Sequence, residues 1–154
     1  MNLKFTEPTR REALTLAAIA GLTAVLAPKM VFADEAAVAA EIKKLYGDKK
    51  LDSGKIKLDV PEIAENGLVV PVNVEVESPM TDADYVKAVH IFADGNPVPG
   101  VVSYKFTPAC GKASASTRMR LAQTQNIVCV AEMSNGALYT TKANVKVTIG
   151  GCGG

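Results

Sequence analysis

From Ile56 onward the chain repeats one pattern: apolar and polar residues alternate with a period of two, in runs too short to be helices. Val70, Val72, Val74 and Val76 are the clearest case, four valines separated by Pro71, Asn73 and Glu75. Successive strand side chains point to opposite faces, so such a run commits its segment to a sheet with one buried side. The pattern recurs at Ile56, Leu58 and Val60, at Val102, Tyr104 and Phe106, and at Thr117, Met119 and Leu121. Tyr85–Phe92 is almost continuously apolar, which predicts a strand covered on both faces. Ile127–Met133 leads through Asn135-Gly136, a two-residue hairpin signal, into Leu138–Thr141, and Val145, Val147 and Ile149 form a last strand. About eight short strands, separated by Asn, Pro and Gly, predict an all-β, immunoglobulin-like antiparallel sandwich over residues 34–149.

One helix precedes it. Val38, Ile42 and Leu45 recur at helical spacing over Asp34–Tyr46, with acidic residues at the start, Lys43 and Lys44 near the end, and Gly47 just past it. The segment Pro61–Gly67 reads as a loop.

Residues 1–33 have the pattern of an export signal. Thr9-Arg10-Arg11 is followed by an uncharged apolar stretch from Ala13 to Ala27, and Val31-Phe32-Ala33 supplies a cleavage site before Asp34. About fifteen apolar residues fall short of the roughly twenty that span a bilayer. That favours a cleaved leader, with no membrane attachment afterwards, over an uncleaved anchor. The arginine pair with Leu14 is of twin-arginine type, although Ala13 stands where that pattern usually has phenylalanine. The expected destination is the periplasm, an oxidising compartment. The remaining chain carries 13 basic and 14 acidic residues, a balance that gives no reason to expect nucleic acid or an anionic membrane as partner.

Residues 150–154 read Gly-Gly-Cys-Gly-Gly. Glycine loses the most conformational freedom on ordering, so the expectation is a flexible arm reaching about 17 Å when extended. Cys152 on such an arm has no neighbour to activate it, and an ordinary thiol of pKa ~8.5 is only a few per cent thiolate at pH 7. The chain therefore presents a thiol without catalytic apparatus, and activation falls to whatever enzyme the arm enters. Ordering five residues costs about 5–10 kcal/mol, which keeps such visits releasable. Gly150, Gly151, Gly153 and Gly154 serve as the arm and Cys152 as the attachment point.

Two further cysteines remain. Cys110 follows Thr107-Pro108 at a strand junction, and Cys129 lies inside an apolar strand. A disulfide between them is the candidate arrangement, worth about 3 kcal/mol through loop closure. Two unpaired thiols are the alternative. Zinc would require closely spaced ligand pairs, and His90 is the single histidine, so no metal or other cofactor is expected. His90 in its apolar strand reads as a packing or interface residue, and Met80, Met119 and Met133 read as core. Arg118 and Arg120 alternate on a strand face, either solvated or forming a positive patch near the arm.

The arginine-pair leader, the β-rich domain and the terminal Gly-Gly-Cys-Gly-Gly, with the stretch from Ser116 to Met133, resemble the SoxY family. These are sulfur carriers of the periplasmic Sox thiosulfate-oxidation system. The resemblance implies a heterodimer with SoxZ, a small β-sandwich. It also implies transient contacts with SoxAX, which would join thiosulfate to Cys152, with SoxB, which would release sulfate and leave a persulfide, and with SoxCD where present. Cys110 and Cys129 depart from the family's single mature cysteine.

Three other readings compete. A ubiquitin-like sulfur carrier would load the carboxylate of Gly154, but that chemistry needs ATP, which a periplasm lacks. A scaffold or adhesion sandwich would use Cys152 only to crosslink. A thiol oxidoreductase would want Cys-x-x-Cys, which does not occur here.

Overall fold

The computed structural model describes residues 32–149; the leader up to residue 31 and the Gly150–Gly154 arm lie outside the described residues. Helix α1 spans Glu35–Tyr46. Asp34 caps it, the carboxylate accepting from the Ala37 N–H at 2.8 Å, and Gly47 at φ 70° closes it by donating to the Lys43 carbonyl. Among the described residues nine strands follow: β1 Leu51–Ser53, β2 Ile56–Asp59, β3 Ile63–Ala64, β4 Val70–Val76, β5 Val86–Ala93, β6 Gly100–Lys105, β7 Ala113–Met119, β8 Gln125–Met133 and β9 Leu138–Val147.

They form two sheets. The larger runs β1–β9–β8–β5–β6, with β3 also on β9, and the smaller runs β2–β4–β7. Pairing is antiparallel except for β1 and β3, which lie parallel to opposite ends of β9. The main core lies between the sheets, where Val70, Val72, Val74 and Val76 of β4 meet Val89 and Ile91 of β5 and Ile127 and Cys129 of β8. A smaller cluster of Val38, Phe92 and Val130 holds α1 on the outer face of the large sheet. Strand β5 is thus covered on both sides, as its almost continuous apolar run predicts.

Several local readings differ from the sequence expectation. The helix stripe is Val38, Ile42 and Tyr46, each four residues on, while Leu45 is exposed. The Pro61–Gly67 loop contains β3. The last two expected strands are one, because Lys142–Asn144 pair with Asn126–Val128 instead of turning. The hairpin before it has a three-residue loop. Asn135 keeps negative φ and accepts from the Ala137 N–H, so only Gly136, at φ 82°, enters the left-handed region.

Ile91 is 1% exposed and Leu45 48%. Ile91→Ala is expected to cost about 2–5 kcal/mol in denaturant unfolding, and Leu45→Ala less than about 0.5 kcal/mol.

Candidate functional site: the exit of the C-terminal segment

One end of the sandwich gathers the β3–β4, β5–β6 and β7–β8 connections around the end of β9. There the chain is held to its last described residue. The Lys146 N–H donates to the Glu62 carbonyl, the Thr148 N–H to Ala64, and the Thr148 hydroxyl to Glu65. Thr124 Oγ1 accepts from the Val147 N–H at 3.0 Å. The Ile149 carbonyl accepts from the Gly67 N–H at 2.8 Å, and the Gly67 carbonyl accepts from the Leu121 N–H at the same distance. Backbone bonds therefore tie β9, the β3–β4 connection and the β7–β8 connection together directly before Gly150.

A buried polar hub braces the same end. Gln125, 3% exposed, accepts from the Gly95 N–H at 2.7 Å and donates to Asn96 Oδ1 and the Gln123 carbonyl. Asn96 donates to the Arg120 carbonyl and accepts from the Ala122 N–H, and its own carbonyl receives the Ala33 N–H. A Cβ on Gly95 would meet Gln125 Cβ at 2.8 Å, so this position requires glycine. Around the exit, Ile63, Leu68, Val69 and Ile149 leave much of their apolar surface in water.

The site residues read from sequence divide as follows. Cys152, Gly150, Gly151, Gly153 and Gly154 lie outside the described residues. The candidate Cys110–Cys129 disulfide is corrected, since both thiols are free. Cys129 faces the core from β8, fully buried, and burial pushes its thiol up to about 12. Cys110 is exposed on a 3-10 turn, Pro108–Cys110, in the β6–β7 connection. The register places that connection at the end of the sandwich opposite Ile149. Arg118 lies on β7 and Arg120 just beyond it, both exposed and bordering a groove between β6 and β7.

His90 is a packing residue. Its ring meets Tyr46 edge-on at 5.7 Å and stacks near Phe92, and Nδ1 lies 2.7 Å from the Ser103 hydroxyl. Burial lowers its pKa, with Lys105 adding to the effect and Glu132 opposing it. The exit anchors and the Gln125–Asn96 hub were missed in the sequence. Their only signal there is the concentration of Asp, Asn and Gln in residues 94–96 and 123–126.

Residues 42–152 match the family model described as sulfur oxidation protein SoxY. Among solved structures, the sulfur carrier protein SoxY from Chlorobium limicola f thiosulfatophilum is 35% identical with a TM-score of 0.63, covering 74% of this chain and 98% of that one. A superoxide reductase (neelaredoxin) from Ignicoccus hospitalis has a TM-score of 0.55 at 15% identity, covering 77% and 96%. A putative superoxide reductase from Thermotoga maritima has 0.51 at 18%, covering 64% and 87%. At such identities the last two share the fold alone. No curated protein sequence matches the chain. Fold and exit together define an immunoglobulin-like sandwich whose terminal strand is pinned up to the point where the glycines begin. The chain belongs to the SoxY family.

Two measurements follow. In a Cys152→Ser chain without reductant, one cysteine should label in the native state and a second only in denaturant; failure of both to label in denaturant would restore the disulfide. Because the pKa of His90 is lowered, its contribution to stability is complete above the ordinary histidine value of ~6.5 and is lost as pH falls through the folded value. His90→Gln should accordingly flatten the fall in unfolding midpoint between pH 7 and 5.

Proposed function

We propose that this protein is a covalent sulfur carrier with Cys152 as the attachment point and Gly150, Gly151, Gly153 and Gly154 as its arm. The observation that carries the reading is the anchoring of Ile149 in a SoxY-family sandwich, directly before a glycine-flanked thiol. A fixed origin followed by residues with no side chains suits a thiol that must enter a narrow catalytic channel.

The chemistry balances without a catalytic group on this chain. Cys152 thiol and thiosulfate lose two electrons and one proton to form Cys–S–S–SO₃⁻, the electrons passing to the cytochrome SoxAX. Water then cleaves the terminal S–S bond on SoxB, releasing hydrogen sulfate and leaving Cys–S–SH. SoxCD, where present, oxidises the remaining sulfane sulfur. Covalent retention keeps reactive sulfur from diffusing, with interception by other thiols as the hazard. SoxZ is the stable partner in this reading, and the apolar rim of Ile63, Leu68 and Val69 offers contact area to enzymes that receive the arm. The twin-arginine-type leader takes the protein to the periplasm.

In protein purified from cells oxidising thiosulfate, sulfur and thiosulfonate adducts should be confined to the C-terminal peptide carrying Cys152. Cys152→Ser should abolish both the adducts and thiosulfate consumption. A crosslinking scaffold would instead lose only assembly, and a ubiquitin-like carrier would hold sulfur on the Gly154 carboxylate. An oxidised homodimer implicates Cys152 only in a Cys110→Ser background, since Cys110 is also exposed.

A further inference from the structure

Among the described residues β7 is the longest strand with a free edge. It ends the small sheet, pairs with β4 alone, and runs seven residues without a bulge, a proline or an acidic side chain. Alternate residues of such a strand turn their N–H and C=O groups away from the sheet, which makes it a template for another strand. The other free edges are blunted. β1, β2 and β3 have between two and four residues. β6 follows Pro99, shifts register against Ile91 and Phe92, and ends on exposed Lys105.

What an open edge accepts is decided by the side chains that come to lie opposite it. In β7 size is divided along the strand: Ser114, Ala115 and Ser116 are small, whereas Arg118, Met119 and Arg120 just beyond are large. Antiparallel pairing with a second β7 sets the large end of each against the small end of the other. A two-fold pairing that keeps both outer faces outward, and joins five or more residues of β7, has Ala115, Ser116 or Thr117 on its axis. With Ala115 there, Arg118 faces Lys112 of the second copy, and with Ser116 there, Arg120 faces the same lysine. Both oppose like charges. With Thr117 on the axis Arg118 faces Ser116, Met119 faces Ala115, Arg120 faces Ser114, and Lys112 faces Ala122.

This register also gives the arginines partners. Both are exposed and, among the described residues, neither takes part in an ion pair. Behind Ser114 in β4 lies Glu75, and behind Ser116 lies Asn73. Two strand spacings are about 10 Å, which an extended arginine and a glutamate cover between them. Glu75 Oε1 holds Lys112 at 2.9 Å, and a carboxylate accepts from a second cation as well. Asn73 donates to Asp59 at 3.2 Å, so Arg118 meets an acidic patch beyond Ser116.

We propose that the β7 edge is a contact through which two copies of this chain pair, antiparallel, with Thr117 on the two-fold axis. The two small sheets join into one of six strands, β2–β4–β7–β7–β4–β2. Only Ala115–Met119 of each copy enter the ladder, so the area is small and the association reversible. Leu121, four residues or about 13 Å from the axis, is hydrogen-bonded to Gly67, which holds Ile149. The two C-terminal exits therefore lie on opposite sides of the axis. The pairing needs no bond between Cys152 thiols, and it does not depend on what that thiol carries.

The test uses the full chain, expressed with its leader and purified as the cell leaves it, carrying Cys110→Ser and Cys152→Ser so that exposed thiols cannot link copies. Sedimentation equilibrium should show a reversible monomer–dimer equilibrium. Ser116→Arg sets a like charge against Arg118 of the second copy and should raise the dissociation constant about tenfold, whereas Ser116→Glu should lower it several-fold. Both variants lose the same 2.6 Å hydrogen bond to Asn73, so a difference between them reports charge at the contact. Under mild oxidant Thr117→Cys should link two copies, and Ser114→Cys, whose mate is Arg120, should do so several-fold more slowly. A chain that stays monomeric at high concentration, equal effects of the two Ser116 variants, or equal linking at the two cysteine positions would overturn the proposal. So would linking of Thr117→Cys to a different protein in place of a second copy, because the edge would then belong to that partner.

Discussion

Strand β9 is hydrogen-bonded along both edges, and the architecture is arranged around that fact. On one side it pairs with β8 through eight consecutive residue pairs, from Gln125↔Val145 to Glu132↔Leu138. On the other, β1 takes its first three residues and β3 takes Lys146 and Val147. A terminal strand paired on one side only would be free to fray. Here the second edge is closed by two short segments, and β3 reaches the part of β9 that matters for the exit. The cost is small, because a two-residue strand needs little ordering beyond the loop that already carries it.

The same logic explains why the hub of Gln125 and Asn96 is polar. Three connections converge at one end of the sandwich, and their backbone groups cannot all pair within strands. Buried backbone donors and acceptors left unpaired would each cost about 1–3 kcal/mol. Two side-chain amides satisfy the Gly95 and Ala122 N–H groups and the Gln123 and Arg120 carbonyls. The absence of a side chain on Gly95 allows Gln125 to approach.

Much of this was legible in the residues. The valines of β4, the double-sided run of β5 and the capped helix carry strong periodic signals, because each is read from neighbours along the chain. What was misread depends on contacts between distant segments. β1 and β3 are too short to show a period, and they form because β9 offers them an edge. Leu45 is the more apolar of the two on paper, and only the position of Phe92 and Val130 decides that its neighbour Tyr46 is the one covered. Asn135-Gly136 announced a turn correctly, but its loop gained a residue when Asn135 bonded to Ala137. The arginines were visible from the start, whereas their closeness to the exit depends on Gly67, a residue with no signal of its own.

The placement of Cys110 has a consequence for redox chemistry. From Leu138 to Val147, β9 covers about 33 Å at the usual rise per residue, and Cys110 belongs to the connections at its far end. A tether of about 10 Å anchored at Ile149 cannot bring the thiol of Cys152 to it within one molecule. In surroundings that favour sulfur–sulfur bonds, the exposed Cys110 would ordinarily be a trap for a second thiol on the same chain. The length of a single strand acts here as the insulator, so any such bond has to join two molecules.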